Sequence, residues 1–237
     1  MFGIKDDKGY NQGYKDSAAM IKRTKRRADY IINLMAPENK EVLEIGCGRG
    51  EISFYIASKT KNNVLGTDIC VPFIEKAKSK YNLSNLNFDV LDFNCLDKIE
   101  NKIFDYIVGN GILHHLYYNI DEVLQSSQKL LKPNGEIIFL EPNLFNPYCY
   151  LIFNTTKFFR EYAKLEPTEK AFTKKFIKEK LLKLDFIDIK VEYRDFLLPI
   201  IPSFLISTTI LIGSIFEQIP ILKNISQSLF ISAKKKC

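Results

Sequence analysis

Residues 42–50 read VLEIGCGRG. Val42, Leu43 and Ile45 close a buried strand, Gly46, Gly48 and Gly50 form a turn, and Glu51 opens a helix. Glycine in such a turn lets the backbone take positive φ and lets a ligand reach the main chain. Ile52, Phe54, Tyr55 and Ile56 give the next segment a helical apolar pattern. A dinucleotide-binding turn is spaced G-x-G-x-x-G, with a pyrophosphate over the helix N-terminus. Here the spacing is E-x-G-x-G-x-G, with Glu44 two residues before the first glycine. A carboxylate at that point repels a pyrophosphate and suits a ligand with a cationic end.

Asp68, in VLGTDIC, ends the next expected strand, where an acidic side chain accepts hydrogen bonds from ribose hydroxyls. Turn and acid together point to a nucleoside that carries positive charge. Further along, LDF holds Asp92 and Phe93, FDYIVGNGILHHL spans Phe104 to Leu116, and LLKPNGEIIFLEPN spans Leu130 to Asn143.

In this order the motifs resemble the class I S-adenosylmethionine-dependent methyltransferases, from about Glu41 to Asn143. The resemblance makes VLEIGCGRG the glycine loop, Asp68 the ribose-binding acid, and Asp92 with Phe93 the adenine contact. It implies S-adenosylmethionine as cofactor, held by Glu44, Gly46, Cys47, Gly48, Gly50, Asp68, Ile69, Asp92, Phe93 and Asn110. It also implies an α/β, Rossmann-like fold: a seven-stranded, mostly parallel sheet with helices on both faces and an antiparallel C-terminal strand.

The residue pattern agrees. Strands are expected near 41–46, 63–67, 86–90, 103–109 and 135–141, with helices near 51–59, 71–82 and 119–131. Alternating strand and helix signals argue for a parallel sheet, with the ligand outside the carboxyl ends of its strands. The 237 residues, 46% hydrophobic and 26% charged, suit one globular domain with a sizeable core. That domain is read as an N-terminal helical cap (1–40), a cofactor-binding core (41–143), and acceptor-side or lid elements (144–185 and 196–225). The five cysteines, 47, 70, 95, 149 and 237, are widely spaced without C-x-x-C, which reads as reduced thiols in the cytoplasm. The first residues lack the pattern of a secretory signal, and Cys237 is not in a C-a-a-X context.

Residues 14–36 read as a helix with Lys22, Arg23, Lys25, Arg26 and Arg27 along it. One reading is a solvated basic face. The other closes this helix over the cofactor or an anionic surface, with Tyr10 and Tyr14 near the methionine end of the cofactor.

A sulfonium methyl is already activated, so such an enzyme mainly aligns the acceptor and excludes water. A hydroxyl acceptor also needs a base. His114 and His115, the only histidines, follow the fourth strand; neighbouring side chains diverge, so one is expected to face the acceptor, and His115 is the choice. The alternative is an imidazole that only bonds the loop backbone. Glu141, ending the fifth strand, either lines the same cavity or is a plain strand-end carboxylate. Two histidines without clustered cysteines predict no metal site.

Two apolar stretches follow. Residues 144–162 are rich in aromatics, and 196–216, FLLPIIPSFLISTTILIGSIF, carry no charge. Pro199 and Pro202 break the second early and leave a helix from about Pro202 to Gln218, with Ser203, Ser207, Ser214 and Gln218 on one stripe. FIDIKVEYRDF (186–196) and QSLFISAKK (227–235) read as the sixth and seventh strands, which makes the uncharged run an insertion rather than a span. Both stretches are then expected on the acceptor side, as a cavity wall and a lid or monotopic membrane element, unless they pack on each other or across a homodimer. The acceptor is read as a small lipophilic molecule, with peripheral contact at the inner membrane face. The net charge of +6 also fits nucleic acid. Against RNA methylation, the fourth-strand loop reads NGIL instead of N-P-P-Y, the NPY at Asn146–Tyr148 follows another strand, and no Pro-Cys nucleophile is present. A noncatalytic interaction module is the remaining alternative, opposed by the intact Glu44, Gly46, Gly48, Gly50 and Asp68.

Overall fold

Hydrophobic residues in the central strands alternate between two buried layers, which requires helices on both faces of a sheet. The structure is a computed structural model that describes residues 16–92, 99 and 102–237. Among the described residues, seven strands form one sheet: β1 (Glu38–Ile45), β2 (Lys61–Asp68), β3 (Leu86–Val90), β4 (Phe104–Asn110), β5 (Leu131–Pro142), β6 (Ile187–Arg194) and β7 (Ser228–Lys234). Their order is β3-β2-β1-β4-β5-β7-β6, and β7 is antiparallel to both neighbours. All strand expectations hold to within a few residues.

On one face Leu43, Ile107, Ile137 and Ile231 pack against Val123 and Leu124 of α4 (Ile120–Leu130) and Ile177 and Leu181 of α7 (Lys174–Lys183). On the other, Val42, Val64, Val108 and Ile138 meet α1 (Ala18–Ile32), α2 (Glu51–Lys59) and α3 (Val71–Lys80). Adjacent residues such as Val42 and Leu43 serve opposite cores, the two-residue period of a strand. Because β1 lies between β2 and β4, the chain turns in opposite directions beside it, and a crevice opens at the carboxyl ends of β1 and β4.

The N-terminal helix departs from a solvated basic face. Ser17 caps it by accepting from Met20 N–H at 3.0 Å. Arg27 is buried: its Nε donates to Asp195 Oδ2 at 3.1 Å, its Nη1 to Asn110 Oδ1 at 2.7 Å, and its Nη2 to Gln227 Oε1 and Ser228 Oγ. Arg23 also turns inward, its Nε 3.4 Å from Asp195 Oδ2. Lys22 and Lys25 do face solvent. Tyr10 and Tyr14 lie outside the described residues.

The uncharged run is shorter as a helix than expected. Pro202 precedes a 3₁₀ turn (Ser203–Leu205), and α8 covers Ile206–Phe216. The proposed polar stripe does not divide it, because apolar side chains are exposed around most of it. Ile206 and Gly213 are buried, whereas Phe204 is 79% and Leu211 65% exposed. No helix among the described residues is long and apolar enough to cross a membrane. The two apolar stretches do not share a core: Cys149, Ile152 and Phe153 of α5 (Pro147–Asn154) pack with Ala171, and Ile206 packs with Leu197 and Ala19 of α1.

Arg27→Met should lower the urea unfolding free energy by about 3 kcal/mol, because Asp195 keeps its burial while losing a partner. Adding Asp195→Asn should recover part of the loss; an undiminished loss in the double variant would contradict this pairing.

Candidate functional site

The turn between β1 and α2 has positive φ at Gly46 (64°) and Gly48 (55°). A Cβ on Gly46 would stand 2.6 Å from Ile112, so that glycine lets two loops approach. A Cβ on Gly48 would meet no atom within 4 Å, and the bare main chain there faces open space. Gly48 N–H donates to Asp68 Oδ2 at 2.9 Å and Cys70 N–H to Oδ1 at 2.8 Å, so the acid at the end of β2 holds the glycine turn. Burial raises the Asp68 carboxyl above its ordinary range.

Glu44 is buried one turn earlier and accepts from Ser53 Oγ. Burial is the main cause that pushes its carboxyl up to about 7. It has no salt-bridge partner among the described residues. Burial, with the nearby Arg27 charge next, brings the Arg23 guanidinium down to about 9.

These groups share a cavity of about 590 Å³. Of the residues expected to hold the cofactor, Glu44, Gly46, Cys47, Gly48, Asp68, Ile69, Asp92 and Asn110 all line it. Gly50 does not; it begins α2 at φ 80°, against Phe88. Phe93 lies outside the described residues. The wall also holds Arg23, Arg27 and Glu169, which the sequence reading did not single out as site residues. Met20, Arg23, Thr24 and Arg27 recur at helical spacing, a stripe that could have marked the inward face of α1. Glu169 offered no such signal, because it reaches the site through tertiary contacts. An isolated bridge between Asn143 and Phe172 and the Lys170 N–H bond to His114 O, at 3.2 Å, bring its segment against the fourth-strand loop.

The expected divergence of His114 and His115 is not observed. Both line the cavity, with ring centroids 4.2 Å apart, since the loop after β4 is a series of turns without the alternation of a strand. Glu141 is fully buried and stands behind this loop instead of on the cavity wall. Its carboxylate accepts from Ile112, Leu113 and His114 N–H, at 3.0, 2.7 and 3.2 Å, and contacts His114 Nδ1 at 2.9 Å. His115 Nδ1 lies 3.3 Å from Glu169 Oε1. Burial opposes charge on His115, but the Glu169 hydrogen bond and charge outweigh it and raise its pKa, while lowering that of Glu169.

A methyltransferase-domain family matches residues 37–195. The chain belongs to the class I S-adenosylmethionine-dependent methyltransferase family. The ribosomal RNA small subunit methyltransferase C of Buchnera aphidicola is 30% identical over 134 residues, covering 54% of this chain and 39% of that protein. The ubiquinone biosynthesis O-methyltransferase of Coxiella burnetii is 30% identical over 129 residues, covering 53% of this chain and 54% of that protein. The chain thus spans about half, or less, of the length of these relatives. A crystallised S-adenosylmethionine-dependent methyltransferase from Archaeoglobus fulgidus has the same fold, with a TM-score of 0.65 over 91% of this chain and 94% of that one, at 23% identity. The cofactor of the family is S-adenosylmethionine.

The raised Glu44 carboxyl implies a pH dependence. It holds a proton in the folded state that it releases near 4.5 when unfolded, so its contribution to stability declines as pH rises from about 4.5 to 7. A cationic group bound against Glu44 would favour the carboxylate and displace that proton. S-adenosylmethionine affinity should therefore rise about tenfold between pH 6 and 8, and Glu44→Gln should flatten the slope. Calorimetry across that range checks both; an equal slope in the variant would remove Glu44 from the linkage.

Proposed function

We propose that this chain transfers a methyl group from S-adenosylmethionine to a small lipophilic acceptor bound in the same cavity. The observation that carries this reading is one continuous cavity, with the Gly46–Gly48 turn and Asp68 in its lining together with two imidazoles and the apolar side chains of Tyr148, Ile152, Phe153 and Leu165.

The residues present fit the cofactor. Asp68 keeps lone pairs for ribose hydroxyls after accepting two backbone N–H groups. Glu44 supplies a carboxylate for a cationic group. Arg23 and Arg27 share one carboxylate, Asp195, and so retain positive charge for an anionic end. When bound, S-adenosylmethionine supplies a methyl group already activated by its sulfonium. The chain's own work is to orient the acceptor, exclude water and take up the acceptor's proton. Removal of that proton falls to the wall made by His114, His115 and Glu169, with Glu141 fixing the loop that carries both imidazoles.

A lipophilic acceptor, of isoprenoid, quinone-like or lipid-linked type, is supported by the apolar lining and by the surface beside it. Phe204, Leu211, Ile215 and Ile221 are exposed on the insertion between β6 and β7, and Lys22 and Lys25 are exposed on the adjoining α1. Such a surface suits monotopic contact with anionic lipid. Between β6 and β7 only Pro199 and Gln227, at the two ends of the insertion, line the cavity, so the segment acts as a docking platform and not as a roof. The similarity to a ubiquinone O-methyltransferase agrees with this acceptor class.

His115→Ala should slow methyl transfer by about 10²-fold while S-adenosylmethionine affinity stays near that of the wild type. Turnover unchanged in this variant would return His115 to a structural role. Co-sedimentation with liposomes should increase with their anionic lipid content and fall when Phe204, Leu205 and Leu211 are changed to Ser. A protein that stays in the supernatant with every vesicle composition would remove the membrane reading.

A further inference from the structure

Glu141 already receives three backbone N–H groups, so its contact with His114 Nδ1 is best met by an N–H from that ring. With Nδ1–H given to Glu141, Nε2 is the ring nitrogen left to act as a ligand, and it lies 3.8 Å from Glu169 Oε2. On the other side of the same carboxylate stands His115 Nδ1, 3.3 Å from Oε1. One donor atom from each of the three residues lies within 4.8 Å of the other two.

We propose that His114 Nε2, His115 Nδ1 and the Glu169 carboxylate bind a divalent transition-metal cation, which holds the acceptor through an oxygen atom. Two imidazoles and one carboxylate form a donor set suited to zinc and similar ions, and three protein ligands leave a position open to the cavity. Bonds of roughly 2.0–2.2 Å about a tetrahedral ion place the donors about 3.3–3.6 Å apart, a spacing that the His115–Glu169 separation of 3.3 Å meets and the His114–Glu169 separation of 3.8 Å approaches. The buried carboxylate behind a histidine ligand, here Glu141, fixes the ring and its tautomer. Glu169 is itself held, with Oε1 accepting from Glu166 N–H at 3.0 Å and its backbone carbonyl accepting from Arg160 Nη2 at 3.1 Å. The cation's donors line the same cavity as the glycine turn and the apolar side chains assigned above to the acceptor.

This inference rests on the acceptor reading of the cavity and narrows the acceptor to a hydroxyl, phenol or enol. Coordination weakens the O–H bond. With its lone pairs engaged by the cation, the wall then acts on that proton through the metal and not as a free base: the proton passes to a buffer base, the oxygen keeps the O–H electron pair and forms the new O–CH3 bond with it, the S–CH3 bond breaks with its pair returning to sulfur, and the cation is neither oxidised nor reduced.

The test uses the full chain freed of metal by a chelator. Zn²⁺ is titrated against a chromophoric competitor, and Co²⁺ is added separately as a visible-absorption probe. One equivalent of Zn²⁺ should bind, Co²⁺ should give the absorption bands of a low-coordinate site, and Glu169→Gln should weaken Zn²⁺ binding by at least about tenfold. S-adenosylmethionine affinity, measured on the same samples without metal, reports whether each variant is folded and whether the cofactor site stands independently. Binding of Zn²⁺ that is absent, or equal in wild type, Glu169→Gln and His115→Ala, overturns the cation site. If S-adenosylmethionine still binds in that case, the methyltransferase reading survives; if it does not bind to wild type, that reading fails first.

Discussion

Four contacts on one carboxylate hold the working end of this molecule together. Glu141 ends β5, and the neighbouring β4 runs straight into a loop with no regular structure of its own. A loop of this kind has unpaired N–H groups, and three in succession find their acceptor on Glu141, with the ring of His114 as the fourth contact. The strand register of β4 and β5 brings the carboxylate to that point, since Asn110 stands opposite Leu140. Without an acceptor there, the loop would have to rearrange to reach water. The positions of His114 and His115, and through Lys170 that of Glu169, depend on it.

A second polar cluster also borders the cavity. Arg27 reaches from α1 to Asp195, just after β6, to Gln227 and Ser228 at the start of β7, and to Asn110 at the end of β4. Asp195 adopts positive φ (69°) and also accepts Leu197 N–H, at 3.1 Å, so it turns the chain into the insertion. Ser17 at the start of α1 donates to Pro199 O at 2.8 Å. The helix cap, the cavity wall and the base of the insertion are thus parts of one hydrogen-bonded unit.

Much of this was legible in the sequence because it depends on short-range pattern. The alternation of Val42, Leu43, Glu44 and Ile45 and the glycine spacing carry their own geometry, as does Asp68 twenty residues after Gly48. Arg27 and Glu169 were not legible as site residues for a different reason. A basic residue on an amphipathic helix looks the same whether it meets water or a buried aspartate from a strand far along the chain. Nor does the order of residues around Glu169 encode its approach to the histidines, which comes from the bridge between Asn143 and Phe172. The divergence expected for His114 and His115 failed because it borrowed the geometry of a strand for residues that lie in turns. The expected helix from Pro202 was too long because the proline starts a tighter 3₁₀ turn before the α-helix begins.

The apolar rim of the insertion has a consequence for the free protein. Ile200, Phe204, Leu211 and Ile221 are all more than 60% exposed, and the charged groups nearest them in sequence stand at the borders of the segment. Bringing two such rims together would release the water around them, a driving force that grows with protein concentration. The net charge of +6 opposes that approach at low salt and is screened at high salt.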